Sequence, residues 1–166
     1  MSAVALRPYI PADAKRCAEI FRSSIEELAA EDYDDEQREA WASRADDEQA
    51  FGARLAEALT LLAVIDGAIT GFASLKGADE IDMLFVDPGF ARQGVGRTLV
   101  NALTRLAQAR GAKRLTTEAS DVAKPLFERQ GFTAQKRNLV RMGEQWLANT
   151  TMTKTLGAEP APPTRH

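Results

Sequence analysis

The segment from Glu80 to Ala119 constrains the fold of this chain more than any other stretch of the sequence. An apolar run from Glu80 to Val86 stops at Asp87-Pro88-Gly89, and a glycine-containing loop follows it. A helical pattern then extends from about Val95 to Arg110, and the next strand pattern begins at Arg114. A strand, a crossover helix and a second strand build a unit in which the two strands lie parallel. The chain is therefore expected to form a sheet that includes a parallel pair.

Patterns on either side of this unit predict the remaining elements. The N-terminal part contains a strand over Val4 to Arg7, helices that begin near Asp13 and Asp35, and a third helical piece marked by Phe51, Leu55 and Leu59. A hairpin of Thr60 to Ile65 and Ile69 to Leu75 precedes the central unit. After the unit come a helix that Ser120 or Asp121 caps and Gly131 closes, and a final strand pair over Phe132 to Arg141 and Trp146 to Leu156. This order predicts an α/β (α+β) fold, with a mixed, largely antiparallel sheet and helices on both faces. We expect one domain over residues 1–157 and a Pro-rich tail over residues 158–166.

Net charge and residue counts exclude several classes of function. The net charge is -3, which argues against a nucleic-acid partner held by a general basic surface. No apolar run approaches the roughly 20 residues that span a bilayer, and no secretory signal is visible, so we expect a cytoplasmic protein without a membrane partner. The only histidine is His166 and the only cysteine is Cys17. A Ser-His-Asp triad, a Cys-His dyad and a Cys/His zinc site are therefore excluded, and no metal is expected.

The loop before the predicted helix has the composition of an anion-binding site. Its residues are Arg92, Gln93, Gly94, Val95, Gly96 and Arg97. Glycines at positions 94 and 96 remove the Cβ atoms that would keep an anion away from the backbone, and the N–H groups of a helix start point outward at the positive end of its dipole. A mononucleotide P-loop would need a different spacing and a Lys-Ser/Thr pair, and a Rossmann loop would need glycine at Leu99. Two interpretations of the loop stay open: it binds the pyrophosphate of coenzyme A, or it is a tight turn without any ligand.

Two motifs at this spacing resemble the GNAT superfamily of N-acetyltransferases, over a core from Leu61 to Phe132. The first is Leu84-Phe85-Val86-x-Pro88, Arg92-Gln93-Gly94-Val95-Gly96 and Leu99, and the second is Ala123-x3-Phe127-Glu128-x2-Gly131-Phe132. The stretch from Asp32 to Trp41 is similar to the N-terminal helices of a bacterial branch. The resemblance implies acetyl-CoA as co-substrate and a sheet splayed open between the parallel strands. The pantetheine arm of acetyl-CoA would pair with backbone at Leu84, Phe85 and Val86, and Phe127 would lie beside the cofactor. The pyrophosphate of acetyl-CoA would meet the N–H groups of Arg92 to Arg97.

The chain departs from the family pattern at two positions. The motif normally opens with Gln or Arg where Ala91 stands, which removes one side-chain contact and leaves the backbone site intact. The family normally has a tyrosine where Phe127 stands, and that tyrosine often protonates the departing thiolate. Phenylalanine cannot donate a proton, so the general acid is left open. These departures also leave a second function open, a CoA-binding regulatory module without turnover.

Cys17, the sole thiol, lies on an apolar helical stripe, so we expect the amine to attack the thioester directly, and three residues are catalytic candidates. A lysine-like amine has a pKa of about 10.4, so a base that removes its proton speeds the reaction. Glu80 is the first candidate because the family often places a base at this point of the strand, and Asp82 is the second. Ser120, at the end of the facing strand, is expected to hold substrate or relay a proton, or only to cap a helix. The acceptor is expected to be a small-molecule or peptide amine, and a homodimer stays open.

Overall fold

Seven strands build one sheet in the computed structural model, which describes residues 3–157. The strands are β1 (Ala5–Pro8), β2 (Leu59–Ile65), β3 (Ala68–Lys76), β4 (Glu80–Val86), β5 (Arg114–Ser120), β6 (Thr133–Met142) and β7 (Gln145–Thr155). Their spatial order is β1-β2-β3-β4-β5-β7-β6, and every neighbouring pair is antiparallel except β4 and β5. The predicted mixed, largely antiparallel sheet with one parallel pair is confirmed.

Helices cover both faces of this sheet. Within residues 3–157 the α-helices are α1 (Ala14–Leu28), α2 (Asp35–Ala42), α3 (Glu48–Glu57), α4 (Val95–Ala109) and α5 (Lys124–Arg129). Three short 3-10 helices lie at Pro11–Asp13, Ser43–Ala45 and Pro88–Phe90. No helix in this part of the chain is long and apolar enough to cross a membrane.

Two hydrophobic cores, one on each face, hold the helices on the sheet. Phe21 of α1 and Leu55 of α3 pack with Phe72 of β3 on one face. On the opposite face, Leu99 and Leu103 of α4 pack with strand residues that include Leu75 and Leu115. Successive side chains of a strand point to opposite faces, so a strand buried on both faces can contribute to both cores. This is why β3 is an almost continuous run of buried residues.

The parallel pair at the centre of the sheet is short, and its strands separate. Glu80 pairs with Thr116 and Ile81 pairs with Thr117, and the pairing between β4 and β5 ends there. On its other side, β4 stays paired with β3 as far as Val86. A β-bulge accompanies the separation: Ser74 pairs with Met83 and Leu75 with Ile81, which leaves Asp82 as an extra residue. The sheet therefore opens into a wedge between β4 and β5, as the resemblance implied.

Some predicted boundaries were wrong. Leu59 begins β2 instead of extending α3, because it pairs with Leu75 on β3. Pro8 is the last residue of β1 although the strand was predicted to end at Arg7; β1 is at the edge of the sheet, where a missing N–H is tolerated. Ser120 is the last residue of β5, and the N-cap position of α5 is Ala123. The tail predicted over residues 158–166 lies outside the described residues.

Candidate active site

A cavity of about 290 Å³ fills the wedge between β4 and β5. Its floor is formed by residues of β4 from Glu80 to Phe85 and of β5 from Thr117 to Ser120. Its remaining walls come from α1, the α2–α3 region, α5 and the hairpin of β6 and β7. The cavity therefore brings together parts of the chain that lie more than a hundred residues apart in the sequence.

One wall of the cavity carries backbone groups that the sheet does not use. Beyond Ile81, β4 has no strand partner on the side that faces β5. Leu84 and Phe85 line the cavity here, whereas Val86 is half-buried against the core beneath α4. A strand edge of this kind pairs with any ligand that offers amide groups at peptide-like spacing. The open edge of β4 therefore fits an extended, amide-containing ligand.

The loop that follows β4 leads into the start of α4. Gly94 is its N-cap residue, with a φ of 82°, and no side chain caps the helix. The N–H groups of Val95, Gly96 and Arg97 occupy the first turn, where an α-helix offers them no internal partner. Arg92 also has a positive φ, of 64°. Arg92, Gln93 and Arg97 are exposed, so their polar atoms are accessible to an anion at the helix start.

The structure requires glycine at positions 94 and 96 of the loop for two different reasons. A Cβ at Gly94 would find only Arg97 Nη2, at 3.5 Å, so the requirement there is the left-handed backbone. A Cβ at Gly96 would lie 2.8 Å from Leu126 Cδ2, against α5. Gly96 is therefore needed for the packing of α4 on α5, and interpreting its small size only as room for an anion was incomplete. The sequence around Gly96 contains no signal for this contact, because Leu126 approaches from a different element.

Two further residues hold the loop, and the sequence analysis missed both. Gly71 lies in β3, where a Cβ would be 2.8 Å from Val95 Cγ1 and 2.9 Å from the Phe85 carbonyl oxygen. A glycine inside a predicted strand was the available signal for this close approach. Arg16 of α1 donates hydrogen bonds to the Ile69 carbonyl oxygen, at 3.0 Å, and to the Asp87 carboxylate. Asp87 in turn accepts a hydrogen bond of 2.8 Å from Gly89 N, so Arg16 braces the first turn of the loop.

The two carboxylates predicted on β4 both line the cavity, and they have different partners. Asp82 accepts hydrogen bonds from Arg54 of α3, of 2.9 Å from Nε and 2.8 Å from Nη2, and its side chain is 14% exposed. Glu80 is half-buried, and no side chain within residues 3–157 forms an ion pair or hydrogen bond with its carboxylate. The geometry therefore leaves Glu80 available to a ligand, whereas Asp82 is committed to Arg54.

Three residues near the end of β5 bear on proton transfer. Ser120 lines the cavity, and its hydroxyl oxygen accepts a hydrogen bond of 3.2 Å from Ala123 N. Phe127 also lines the cavity and packs against Phe132, with ring centroids 5.1 Å apart. Tyr33 reaches the same cavity from the loop between α1 and α2; its hydroxyl donates to the Ala148 carbonyl oxygen at 2.6 Å and accepts from Asp121 N at 2.9 Å. Burial raises the pKa of the Tyr33 phenol, which therefore stays protonated at neutral pH.

Aromatic side chains form a connected cluster along the cavity. Tyr33 meets Trp41 edge to face at 5.5 Å between ring centroids, Trp41 meets Phe85 at 6.0 Å, and Phe85 meets Phe21 at 4.6 Å. All four rings line the cavity. Trp41 lines the cavity and also packs against the core on this face, whereas Phe51 is a buried core residue.

Cys17, the only thiol of the chain, lies on the buried face of α1, in the core between this helix and the sheet. Its exposed fraction is 0%. Burial raises the pKa of this thiol to about 12, so it is not a nucleophile at neutral pH.

Comparison with known proteins agrees with this architecture. A family model described as the acetyltransferase (GNAT) domain matches residues 29–156. The uncharacterized N-acetyltransferase YafP of Escherichia coli is 34% identical over 152 residues, which are 92% of this chain and 96% of that protein. The crystal structure of a GCN5-related N-acetyltransferase (Aminotransferase, Class-II) from Rhodopseudomonas palustris is 56% identical and has a TM-score of 0.92, covering 94% of this chain and 98% of that one. The PaiA N-acetyltransferase of Thermoplasma acidophilum, solved with coenzyme A, shares the fold with a TM-score of 0.78 at 19% identity, covering 93% of this chain and 99% of that one.

Proposed function

This chain belongs to the GNAT acetyltransferase family, and on that premise we propose that it transfers an acetyl group from acetyl-CoA to a primary amine of a small molecule or peptide. The observation that carries the proposal is the open wedge. The cavity joins the unpaired edge of β4 to the carboxylate of Glu80, and β4 continues beyond the cavity through a short loop into the uncapped start of α4. The strand edge suits the amide-containing pantetheine arm, and the helix start suits the pyrophosphate. The carboxylate suits the attacking amine of such a reaction.

The proposed binding residues divide between backbone and side-chain contacts. Bound acetyl-CoA would supply an activated acyl group. Backbone of Leu84, Phe85 and Val86 holds the pantetheine arm, and Phe127 closes the cavity beside it. The N–H groups from Arg92 to Arg97 hold the pyrophosphate, with Arg92, Gln93 and Arg97 exposed to it. Ala91 contributes no polar side chain, so this binding relies on the backbone.

Glu80 is the proposed general base. An amine attacks only as its neutral form, and a positioned base contributes about 10²–10⁴ in rate. Glu80 lines the cavity without a partner in the described chain, whereas Asp82 already accepts two hydrogen bonds from Arg54. Asp82 therefore serves to orient Arg54, and the base role falls to Glu80.

The departing sulfur receives its proton from Ser120 or from water. As the amide C–N bond forms, the thioester C–S bond breaks. The ammonium form of the amine loses one proton to Glu80, which returns it to solvent, and a second proton that Ser120 or water relays to the sulfur, so that Ser120 ends as a neutral hydroxyl. The Ser120 oxygen accepts from Ala123 N, which leaves its own proton free to point into the cavity. Tyr33 is a poor donor because its proton is already shared with the Ala148 carbonyl oxygen. A thiol with a pKa of about 8.5 needs little assistance near neutral pH.

The transfer is direct, without an acyl-enzyme. A covalent route needs an activated nucleophile next to a base. Cys17 is buried in the core, outside the cavity, with a pKa of about 12. Its burial supports attack of the amine on the thioester itself.

The experiment that tests this function measures binding and turnover together. Acetyl-CoA should raise the melting temperature of the protein, and acetylated product should accumulate with members of an amine panel. Binding without turnover on any amine would favour the regulatory module instead. Absence of both would contradict the proposal.

A matched pair at Gly94 tests the phosphate site. Gly94→Asp and Gly94→Asn carry the same backbone cost at a φ of 82°, but only aspartate places a negative charge at the helix start. We expect Gly94→Asp to weaken acetyl-CoA binding about tenfold or more relative to Gly94→Asn, measured by calorimetry. Equal affinities in the two variants would show that no phosphate lies there.

A further inference from the structure

The part of the cavity left for the acceptor is small and mostly apolar. The whole cavity measures about 290 Å³, at the lower end of the range of small-molecule sites, and it must also admit the thioester. Phe21, Trp41 and Phe85 form one side of it, and Met142 and Leu147 of the β6–β7 hairpin form another. An acceptor with a compact apolar body suits these walls.

Two arginines interrupt this apolar surface, and one of them is held in place. Arg54 lines the cavity and uses its Nε and one Nη2 hydrogen on Asp82, whose side chain is 14% exposed. A guanidinium group has five N–H donors. Asp82 therefore fixes the orientation of Arg54 and leaves its other donors, on the Nη1 side, without a partner in the described chain.

Arg44, in the 3-10 helix after α2, is the second arginine of the cavity wall. Its side chain makes no hydrogen bond or ion pair within residues 3–157. The remaining carboxylate of the cavity, Glu118, is occupied: it accepts hydrogen bonds of 2.7 Å from Thr151 Oγ1 and 3.0 Å from Asn138 Nδ2. Arg44 thus lines this cavity without an ion pair to any carboxylate of the described residues.

We propose that the acceptor is an amino carboxylate with an apolar body, whose carboxylate is bound by Arg44 together with the free edge of Arg54. This inference rests on the proposed acetyl transfer and narrows its substrate class. Guanidinium groups match carboxylates in geometry as well as in charge. With its carboxylate on the arginines, such an acceptor can direct its amine to Glu80, the unpaired carboxylate of the same cavity.

Pairs of amines that differ only by a carboxylate test this proposal. Suitable pairs are phenylalanine with phenethylamine, and leucine with 3-methylbutylamine, assayed with acetyl-CoA. The expected kcat/KM is about tenfold or more higher for the amino acid of at least one pair. A preference for the carboxylate-free amine of both pairs would overturn the proposal and leave the acetyltransferase function intact. Binding of acetyl-CoA without acetylation of any amine would instead contradict the proposed function.

Arg44 variants separate recognition of the carboxylate from differences in amine basicity. Arg44→Gln should lower the amino acid-to-amine ratio of kcat/KM about tenfold, and Arg44→Glu should lower it further. Arg114→Gln is the control, because Arg114 is exposed at the start of β5 and does not line the cavity. Thermal unfolding of each variant checks the fold. An unchanged ratio in folded Arg44→Gln and Arg44→Glu would refute the role of Arg44.

Discussion

Glu80 and Asp82 lie two residues apart on β4 and both line the cavity, yet their surroundings give them different chemistry. The β-bulge at Asp82 places it where Arg54 of α3 can bind both of its oxygens. A carboxylate held by two charge-assisted hydrogen bonds gives up much of that stabilisation if it accepts a proton. The unpaired carboxylate is therefore the better base, and the difference arises from one extra residue in the strand.

Substitution of each carboxylate tests this division. Glu80→Gln should lower kcat about tenfold or more and flatten the acidic limb of the pH–rate profile, with little change in the affinity for acetyl-CoA. Asp82→Asn should keep most of kcat, because the base is still present. Steady-state kinetics over a range of pH distinguishes the two. Full activity of Glu80→Gln with loss in Asp82→Asn would transfer the base role to Asp82, and full activity of both would leave water as the base and positioning as the main contribution.

Between elements, an ion pair with a nearly buried carboxylate joins β1 to the start of α1. Arg7 Nη1 and Nη2 each donate a hydrogen bond of 2.9 Å to the carboxylate of Asp13, and Ile10 N donates another of 2.9 Å. The side chain of Asp13 is 8% exposed. The hydrogen bonds from Arg7, opposed by burial, hold the pKa of Asp13 below its usual value of 3.8. The pair thereby fixes the N-terminal strand against the helix that carries Phe21 into the cavity.

Removal of Arg7 should destabilise the fold in a pH-dependent way. Arg7→Gln leaves a nearly buried carboxylate without its charged partner, at a cost of about 1–3 kcal/mol near neutral pH. A lowered folded-state pKa gives stability that is fully present above the unfolded value and is lost as the pH falls through the folded value. The gap between wild type and Arg7→Gln should therefore narrow below about pH 3.8. Urea denaturation over this pH range measures it; a gap that stays constant would contradict the assignment, and Asp13→Asn should remove the effect of Arg7→Gln.

At the scale of the whole molecule, Tyr33 joins the loop between α1 and α2 to the end of the β5–β7 ladder. Its hydroxyl bridges the Ala148 carbonyl of β7 and the Asp121 N–H after β5, and its ring packs on Trp41 of α2. The wedge lacks strand pairing between β4 and β5 beyond Ile81. Through Trp41, which meets Phe85 of β4, Tyr33 therefore connects the two sides of the wedge where strand pairing is missing.

Tyr33→Phe should lower the free energy of unfolding and raise the KM of the acceptor. The substitution keeps the ring but leaves a half-buried N–H and a half-buried carbonyl without this partner, at a cost of about 1–3 kcal/mol in the free energy of unfolding. Tyr9→Phe is the control, since the Tyr9 hydroxyl makes only a long contact of 3.4 Å to the Gly52 carbonyl oxygen. Urea denaturation and the KM of the acceptor are the measurements. Equal stability losses in the two variants would argue against a bridging role for Tyr33.

The sequence by itself determined the order of the elements, the parallel pair and the two-sided burial of the sheet. These follow from local signals: helical and strand periodicity, turn residues, and a crossover that forces adjacent strands to run parallel. It also located the loop before α4 as a candidate anion site and excluded a Ser-His-Asp triad, a Cys-His dyad and a Cys/His zinc site from the numbers of histidines and cysteines. Such inferences depend on residues close to one another along the chain.

The tertiary structure alone decided which predicted residues have partners. Arg54 is 28 positions from Asp82, and Tyr33 is 115 positions from Ala148, so no local pattern relates them. The bulge at Asp82 depends on the register with β3, and the need for glycine at position 96 depends on Leu126 of α5. Long-range packing fixes these relations because a side chain's partners are set by the docking of whole elements, whose spacing the local sequence does not encode.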